Sequence, residues 1–457
     1  MSEMIDIIVD SKIYTAKGGS LLIDLLIKEK IKVPYFCYHE SLGPVGNCRM
    51  CMVEIEGQKR PQIACDTLIK ENMEVRSTGK NIEKIRTDIL ELELINHPVD
   101  CPVCDQAGEC SLQEFYMDYG LHNAKVTIQD KVKHAKHVDL GSNVMLDQER
   151  CILCARCTRF TDKITGTHEL GIIGRGDNAR VSTMPGRKLD NPYAMNVVDL
   201  CPVGALTSKD FRFAQRVWFL QTVNSVCHGC AKGCNIFIDH NKIKYQDDVI
   251  YRFRPRRNDD VNGFFMCDEG RLSYKELQEN RQESTLLNGK EIIENEAIQE
   301  AKELMQRYKN TISVVIDANL YSEEIEAILT FAKDINASVC SPLDVYMDES
   351  FKDDMLKSAN RAANYKTIET LHIDTNTPKH SGLIINFNHP QEFKADSHIN
   401  FFTHKRNGYD LVFPVAAFSE NSGTLTNEDD IVQKCEKAVS RNMPIPTIIE
   451  SLLKISL

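Results

Sequence analysis

The sequence has no segment suited to a lipid bilayer and no excess of positive charge. No apolar run approaches the ~18 residues that span a membrane, and the opening stretch MSEMIDIIVDSK lacks the features of a secretory signal. The net charge is −11 and the pI is about 5.7, which does not suit a nucleic-acid backbone. We therefore expect no nucleic-acid binding and no direct membrane insertion.

Motifs of ordinary enzyme catalysis are also scarce. The stretch LGIIGRGDNAR has closely spaced glycines, but it does not lie in a βαβ unit with a downstream acid, so we do not interpret it as a dinucleotide site. His134 and His137 could form a metal pair, although a solvated polar segment is the simpler interpretation. We find no nucleophile and no acid–base pair, so we predict no independent catalytic site in this chain.

Cysteine, in contrast, is abundant, with 17 residues in the chain. The number is odd and no export signal is recognised, so a disulfide scaffold is not expected. All the cysteines except Cys340 and Cys435 fall in four groups before residue 268. This clustering predicts metal ligands in the front of the chain, and we interpret Cys340 as a buried apolar residue.

The first group has the pattern C-x10-C-x2-C-x13-C. Its members are Cys37, Cys48, Cys51 and Cys65. The strand-like IDIIV, a helix predicted in LLIDLLIKEK with Ser20 as N-cap, and the strand-like CMVEIE surround the cysteine loop. This order is typical of a ferredoxin-type β-grasp domain holding a [2Fe–2S] cluster, with a longer first gap than in plant-type ferredoxins. A zinc site is the alternative.

The second group follows a predicted helix that ends near Asn96. The helix is predicted from an apolar stripe formed by Ile82, Ile85, Ile89 and Leu92. The segment HPVDCPVCDQAGEC then supplies three cysteines, and a four-ligand site needs one further residue. The cysteines are Cys101, Cys104 and Cys110.

Histidine replaces cysteine on iron in other cluster types, so ligand counting favours the histidine at the start of this segment. That residue is His97, and the alternatives are His122, Asp100 and Asp105.

The third group is a C-x2-C-x2-C triad followed at a distance by a Cys-Pro pair. Its members are Cys151, Cys154, Cys157 and Cys201. In two-cluster bacterial ferredoxins the cysteine before proline serves the other cluster. No second triad precedes Cys201 here, so we predict that Cys201 completes one [4Fe–4S] cluster in a ferredoxin-like domain.

The fourth group is a C-x2-C-x3-C triad with one later cysteine, which again suits one [4Fe–4S] cluster. Its members are Cys227, Cys230, Cys234 and Cys267. Four arginines precede the last cysteine: Arg252, Arg254, Arg256 and Arg257. They could favour the reduced form of an anionic cluster, or they could form a solvated basic face or a docking patch.

Several motifs together resemble one family. PYFCYHE, GNCRMCMVE, NHPVDCPVCDQAGECSLQ, RCILCARCTRF, LGIIGRG and NVVDLCPVGALTSKDFRF resemble the iron–sulfur G subunit of bacterial respiratory complex I, the NADH–quinone oxidoreductase. CHGCAKGCNI and CDEGRLSY resemble the cluster-bearing first domain of molybdopterin oxidoreductases. The resemblance covers about residues 1 to 275 and implies that His97 is a cluster ligand.

The resemblance also implies one [2Fe–2S] and three [4Fe–4S] clusters, and FMN and NADH on a partner subunit. We expect no molybdopterin, because that cofactor needs a deep multi-domain cleft and the segment after the fourth set is too short to build one. Electrons would pass from the flavin subunit toward quinone, with the Cys227 cluster off the main path. The partners implied are the other peripheral-arm subunits, including the flavin/NADH-binding and quinone-site subunits. The expected location is cytoplasmic, on the cytoplasmic face of the inner (plasma) membrane through those partners.

The fold class expected from these features is an α+β multidomain chain. The expected domains are a β-grasp [2Fe–2S] domain (1–79), a histidine-plus-three-cysteine [4Fe–4S] domain (80–120), a ferredoxin-like [4Fe–4S] domain (140–212), a molybdopterin-oxidoreductase-type [4Fe–4S] domain (218–275) and a truncated molybdopterin-oxidoreductase-like α/β domain (290–457). In the last of these, ISVVIDANL and GLIINFN are predicted buried parallel strands and SEEIEAILTFAKDI a helix.

Two alternative functions remain open at this point. The chain could be the electron-wire subunit of a soluble NAD-linked hydrogenase or formate dehydrogenase, because those enzymes use the same modules. Only Cys340 and Cys435 follow Cys267, so an iron-only hydrogenase centre would have to lie on a partner. A zinc-stapled structural scaffold is the second alternative, and it predicts colourless protein.

Overall fold

The computed structural model describes residues 3–123, 125–241, 249–378, 381–406 and 409–454. The chain divides into two compact units, Met1–Trp218 and Phe219–Leu457. In the described ranges no helix has the length and apolar character needed to cross a bilayer, and the longest, Lys80–Leu94 in the first unit, has 15 residues.

The first unit contains five α-helices and ten strands within its described part. The helices are α1 (Leu22–Lys28), α2 (Lys80–Leu94), α3 (Ser111–Tyr119), α4 (Arg156–Lys163) and α5 (Asn196–Leu200). The strands are β1 (Met4–Val9), β2 (Lys12–Lys17), β3 (Met52–Ile55), β4 (Gln62–Ile63), β5 (Glu74–Arg76), β6 (Val138–Asp139), β7 (Val144–Leu146), β8 (Leu170–Ile173), β9 (Arg180–Thr183) and β10 (Leu206–Ser208).

The first five strands form one mixed sheet in the order β2-β1-β5-β3-β4, with β1 parallel to β5. Helix α1 packs on this sheet because Leu22, Leu25 and Leu26 are buried on one face. The predicted strands at β1 and β3 are confirmed. The predicted N-cap is wrong, because α1 begins after Leu21 and the Ser20 hydroxyl donates to the Lys17 carbonyl at 2.7 Å.

Helix α2 exists where it was predicted and ends at Leu94, but its buried face differs from the predicted stripe. The side chains that α2 buries are Ile82, Arg86 and Leu90, whereas Leu92 is 68% exposed. Arg86 is buried because its guanidinium donates to the carbonyls of Ser77 at 2.9 Å and Met52 at 3.3 Å. The buried face of α2 therefore includes the charged residue Arg86, at a position that a search for apolar periodicity alone does not select.

The remaining strands of the first unit form two small sheets. Strands β10, β7 and β6 form a three-stranded antiparallel sheet, and β8 pairs with β9 in an antiparallel hairpin. The glycine-containing stretch LGIIGRGDNAR spans this hairpin, which agrees with the interpretation that it is not a dinucleotide loop.

The second unit begins with a three-stranded antiparallel sheet in the order β11-β12-β13 and continues as an α/β layer. The strands are β11 (Leu220–Val226), β12 (Asn235–Asn241), β13 (Ile250–Pro255), β14 (Leu286–Leu287), β15 (Lys290–Glu291), β16 (Ile312–Ile316), β17 (Ser338–Cys340), β18 (Ser381–Phe387), β19 (Ala395–Phe402), β20 (Leu411–Pro414), β21 (Gly423–Thr426) and β22 (Val432–Cys435). The helices are α6 (Asp268–Leu272), α7 (Tyr274–Gln278), α8 (Glu294–Arg307), α9 (Ser322–Asp334), α10 (Tyr365–Thr370) and α11 (Ile445–Lys454).

The α/β layer is a seven-stranded sheet in the order β15-β14-β20-β19-β18-β16-β17, and its five strands from β20 to β17 are parallel. The predicted strands β16 and β18 are parallel neighbours, and the predicted helix α9 buries Ile325, Ile328 and Ala332 against the core. Cys340 ends β17 and packs beside Val315 and Ile384, as the sequence indicated.

Candidate metal centres

The four cysteines of the first set (Cys37, Cys48, Cys51 and Cys65) are buried, the first three in the loop between α1 and β3 and the last just after β4. The Cys48 sulphur accepts the Phe36 N–H at 3.4 Å, and the Cys37 sulphur accepts the Cys48 N–H at 3.5 Å. Contacts with Cys48 and Cys65 lower the pKa of Cys37, so one thiol of the group ionises readily. Amide hydrogen bonds to sulphur favour the thiolate form that binds iron.

The third set (Cys151, Cys154, Cys157 and Cys201) is assembled from two distant segments. The loop before α4 turns tightly, with Leu153 and Ala155 at positive φ of 52° and 61°; it carries Cys151 and Cys154, and Cys157 follows in the first turn of α4. Helix α5 ends at Leu200 and places Cys201 opposite, so that all four line one small cavity. The structure thus brings Cys201 together with the triad, and its role as their partner ligand stays a prediction.

The second set (His97, Cys101, Cys104 and Cys110) lies between α2 and α3. His97, Cys101 and Cys110 line one cavity, while Cys104 is buried with its sulphur close to Gly204. Burial lowers the pKa of His97 to about 4, which keeps the imidazole neutral. The Nδ1 atom of His97 lies 3.2 Å from the Val99 N–H, so Nε2 is the ring nitrogen left to face a metal.

The three alternatives to His97 are engaged or exposed. Asp100 accepts two hydrogen bonds from Arg150, at 2.9 and 2.8 Å. Asp105 accepts the Phe213 N–H at 3.0 Å, and His122 is exposed against the Tyr116 ring. This arrangement favours His97 as the fourth ligand.

The fourth set (Cys227, Cys230, Cys234 and Cys267) lines a cavity of about 380 Å³ in the second unit. Its sulphurs also accept amides, from Gly229 to Cys227 at 3.4 Å and from Gly270 to Cys267 at 3.3 Å. A Cβ at Gly270 would lie 2.9 Å from the Cys227 sulphur, so glycine is required for the close approach. Burial raises the pKa of Cys267 to about 11, so a metal would have to displace its proton.

The arginines before Cys267 are not among the residues that line this cavity, which disfavours the first of their two interpretations, as electrostatic neighbours of the cluster. Arg252 and Arg254 both bind the buried carboxylate of Asp239, at 2.6 and 2.7 Å. The reason is strand register, since Asp239 on β12 lies opposite Arg252 on β13. The pattern of cysteine spacing gave no indication of this pairing.

Two cations line the fourth cavity, Lys275 and Arg361, and sequence analysis missed both. The Arg361 guanidinium donates to the Gly229 carbonyl at 2.7 Å and pairs with Glu269 at 2.6 Å. Arg361 is 94 residues beyond Cys267, and no local signal connects the two.

Within the first unit, the third set is joined to the first. We name this contact the first junction and define it by Asn47, Arg156 and Arg159. Asn47 donates to the Leu153 carbonyl at 2.8 Å. Arg156 donates to the Tyr38 carbonyl at 2.6 Å and to the Leu200 carbonyl at 3.1 Å, next to one ligand of each set. Arg159 donates to the Cys37 carbonyl.

The third set is also joined to the second, at a contact that we name the second junction and define by Asp100, Arg150, Ser111 and Gly204. The Ser111 N–H donates to the Pro202 carbonyl at 2.9 Å, which links the residues that follow Cys110 and Cys201. A Cβ at Gly204 would lie 2.2 Å from the Cys104 sulphur. The third set is therefore in contact with both of the other sets.

The donor sets fit iron–sulfur clusters in chemistry and burial. Clusters are held by cysteine thiolates, with histidine replacing cysteine in some types, and the four sets offer these donors with amides directed at sulphur. Among the described residues, no group of three or more His, Cys, Asp or Glu side chains is arranged to hold a single metal ion. Cysteines that bind different iron atoms of a cluster surround a volume and do not meet at one point.

Four family models match the front of the chain in succession. A 2Fe-2S iron-sulfur cluster binding domain matches residues 2–80, and an NADH-ubiquinone oxidoreductase-G iron-sulfur binding region matches 86–125. The ferredoxin-like domain of NADH-quinone oxidoreductase subunit 3 matches 141–207, and the molybdopterin oxidoreductase Fe4S4 domain matches 220–279. Each match contains one of the four ligand sets.

Curated relatives agree with these models. The NADH-ubiquinone oxidoreductase 75 kDa subunit of Reclinomonas americana is 34% identical over 79% of this chain and 53% of its own length. The G subunit of NADH-quinone oxidoreductase from Rickettsia conorii is 32% identical over 86% of this chain and 59% of its own. The corresponding G subunit from Streptomyces coelicolor is 34% identical over 72% and 40%. The chain thus spans about half the length of these relatives.

A solved structure of an NAD⁺-reducing [NiFe]-hydrogenase in the H2-reduced state matches with 27% identity and a TM-score of 0.42. The match covers 47% of this chain and 91% of the hydrogenase chain.

Proposed function

Because the chain belongs to the family of iron–sulfur G subunits of NADH–quinone oxidoreductase, we propose that it is the electron-transfer subunit of such a complex. In this role it passes electrons from the flavin subunit toward quinone. Its own residues hold the redox centres, exclude water from them and adjust their potentials. FMN and NADH are bound by a partner.

We assign the first set to a [2Fe–2S] cluster and the other three sets to [4Fe–4S] clusters. When bound, these clusters accept and donate one electron at a time. The side chains of the second set supply one imidazole, at His97, and three thiolates. Neutral imidazole removes one negative charge from the ligand shell, so this centre should have a higher potential than an all-cysteine one.

The observation that carries the proposal is the contact of the third set with each of the other two. Backbone and side-chain hydrogen bonds connect its ligand segments to those of the first set at one junction and the second set at the other. A continuous polar route of this kind suits one-electron transfer from the first set through the third to the second. The fourth set lies in the other unit and is assigned no step on this path.

The partners proposed are the flavin/NADH-binding subunit, the quinone-site subunits and the rest of the peripheral arm. Attachment to the cytoplasmic face of the membrane would occur through those subunits.

The first test is iron content and His97→Cys. Anaerobically purified protein should be brown and contain about 14 iron atoms, two from one [2Fe–2S] and twelve from three [4Fe–4S] clusters. His97→Cys should retain the second cluster but lower its midpoint potential in an EPR-monitored titration, because thiolate replaces neutral imidazole. Colourless zinc protein would reject the function, and an unchanged potential and EPR spectrum would reject His97 as a ligand.

The second test is co-purification from gently solubilised membranes. Recovery of flavin, quinone-site and membrane-embedded subunits is expected for a complex I component. Recovery from the soluble fraction with a hydrogenase or formate dehydrogenase catalytic subunit would retain electron transfer and replace the acceptor.

A further inference from the structure

Helix α4 places two arginines at the first junction, and both donate only to backbone carbonyls. Arg159 reaches the carbonyls of Cys37 and Gly43, the second at 2.8 Å. Arg156 is buried and reaches those of Tyr38 and Leu200. Their carbonyl partners belong to the loops that carry the first and third sets.

Neither guanidinium has a carboxylate partner among the residues that the structure describes. A buried cation without a counter-ion is costly, since carbonyl dipoles replace hydration only in part. Arg150, six residues before Arg156, has the acidic counter-ions that a buried arginine usually has, because it pairs with Asp100 at 2.8 Å and with Asp147 at 3.3 Å. The counter-charge of the first junction must therefore come from another source.

The ionisable groups within electrostatic reach of these arginines include cysteines of both sets, and as cluster ligands these cysteines would be thiolates. Burial lowers the pKa of Arg159, and negative charge on Cys37, Cys154 and Cys65 opposes this shift. Arg156 lies within electrostatic reach of Cys154 and Cys201. One guanidinium thus faces ligands of both sets, and the other faces ligands of the third.

We propose that Arg159 is the shared counter-ion of the clusters held by the first and third sets and raises both reduction potentials together, and that Arg156 adds to this effect at the third. This inference rests on the proposed function, because it requires the clusters to be present. A cluster held by four thiolates is anionic, and each reduction adds one electron and no proton at these arginines. A fixed positive charge therefore favours the reduced form.

A counter-ion shared by the two clusters affects the electron transfer between them in a specific way. When one electron leaves the first cluster and enters the third, Arg159 continues to face a reduced cluster. Removing the charge of Arg159 should therefore lower both reduction potentials. The difference between them, which drives electron transfer from the first cluster to the third, should change by less than either potential does. Arg159 is a positioning residue with an electrostatic role, and potentials can separate that role from loop support.

The test is Arg159→Gln in the anaerobically purified full chain, with EPR-monitored titrations of all four clusters. Both the first and third clusters should fall in potential. The expected shift is about tenfold in the ratio of reduced to oxidised cluster at a fixed potential, which is 59 mV for a one-electron couple. The clusters of the second and fourth sets should keep their potentials and serve as internal references. Arg159→Lys, which keeps the charge, should restore most of the shift.

The matched control is Lys163→Gln. Lys163 lies one turn further along α4 and donates to the Leu42 carbonyl at 3.1 Å, so its substitution removes the same charge from the same helix while leaving both arginines in place. It should shift both potentials less than Arg159→Gln does. Equal shifts in the two variants would contradict the proposal, because the loss of any positive charge from α4 would then explain the fall in both potentials.

Unchanged potentials in an iron-replete Arg159→Gln protein would overturn the inference and leave the proposed function intact. If that variant loses a cluster, Arg156→Gln decides, since the third cluster should still fall in potential and an unchanged value would overturn the inference. Absence of clusters from the unsubstituted chain would instead reject the proposed function.

Discussion

The two junctions of the first unit both join the ligand-bearing segments of two sets, but their charges are arranged in opposite ways. At the first junction, Arg156 and Arg159 donate to carbonyls and have no described acidic partner. At the second, Arg150 forms a two-point pair with Asp100 and a further contact with Asp147. The first arrangement leaves positive charge available to the redox centres, and the second holds two segments together with its charges satisfied internally.

The second junction extends into a network that includes Lys136, which pairs with Glu149 at 2.8 Å and with Asp100 at 3.1 Å. Burial opposes ionisation of Asp100, but hydrogen bonds from Arg150 and Lys136 outweigh it and lower the pKa of Asp100 to about 2. Asp100 is therefore charged throughout the physiological range. The comparison indicates that a buried arginine shifts the reduction potential of a nearby cluster only to the extent that its charge is not neutralised by an acidic side chain.

The largest expected effect comes from closing the space at the second junction with Gly204→Ala. The added Cβ would lie 2.2 Å from the Cys104 sulphur and 3.0 Å from the Gln106 Cβ. A ligand sulphur cannot move away without losing its metal, so we expect loss of the second cluster, about four iron atoms per chain. Iron analysis and EPR measure this loss.

Gly171→Ala is the control for this substitution. Its Cβ would meet the Met184 sulphur at an ordinary 3.4 Å, so full iron content is expected. Retention of the second cluster in Gly204→Ala would show that the two segments can separate, and it would contradict the close contact at this junction.

The next effect is on stability and comes from Arg150→Gln. Removing this guanidinium leaves the buried carboxylate of Asp147 without its arginine partner and leaves Asp100 with Lys136 alone. Breaking a buried pair by removing one partner costs about 3–5 kcal/mol. Denaturant unfolding, followed by loss of the visible cluster absorption, should show a decrease of this order.

The comparison between junctions predicts that Arg159→Gln will be milder in the same unfolding assay, since no buried acid loses its partner. A larger loss of stability in Arg159→Gln than in Arg150→Gln would break the distinction between the two junctions.

The smallest expected effect concerns Glu93 on α2, which lies within electrostatic reach of Cys37 and Cys151. Burial, with a contribution from Cys37, raises the pKa of Glu93 to about 7. Ionisation above this pH adds negative charge beside both clusters, so the potentials of the first and third clusters should fall as the pH rises through 7. The potentials should fall by well under about 59 mV per pH unit, because the Glu93 carboxyl is only one of the groups near each cluster.

Glu93→Gln tests this effect, because the amide keeps the shape of the side chain and cannot ionise. The pH dependence around 7 should disappear from both clusters in redox titrations at several pH values. A slope that persists in the variant would assign the proton to another group.

Much of the candidate site could be predicted from the sequence, because cysteine spacing is a local property. The membership of Cys201 in the third set followed from counting cysteines in one segment. The geometry then favoured His97 by engaging Asp100 and Asp105 elsewhere. The strands β16 and β18 and the helix α9 were also predictable, since continuous apolar runs and helical periodicity determine them directly.

The charge environment could not be predicted in this way. Arg252 was placed near the fourth set by sequence proximity, but strand register pairs it with Asp239. Arg361 approaches the same set from a segment 94 residues beyond Cys267. The contacts of the third set with the first and second join carbonyls and side chains of distant loops, and spacing within a motif contains no information about such contacts.

The hydrogen bond from Arg159 to the Cys37 carbonyl also has a consequence during synthesis, since its two residues are 122 positions apart. A ribosome adds about 5–20 residues per second, so the Cys37 loop must wait about 6–24 s for this donor. During that interval its thiols lack the arginine that fixes their loop. We expect iron delivery to the first and third sets to follow the completion of helix α4, so that these two centres mature together.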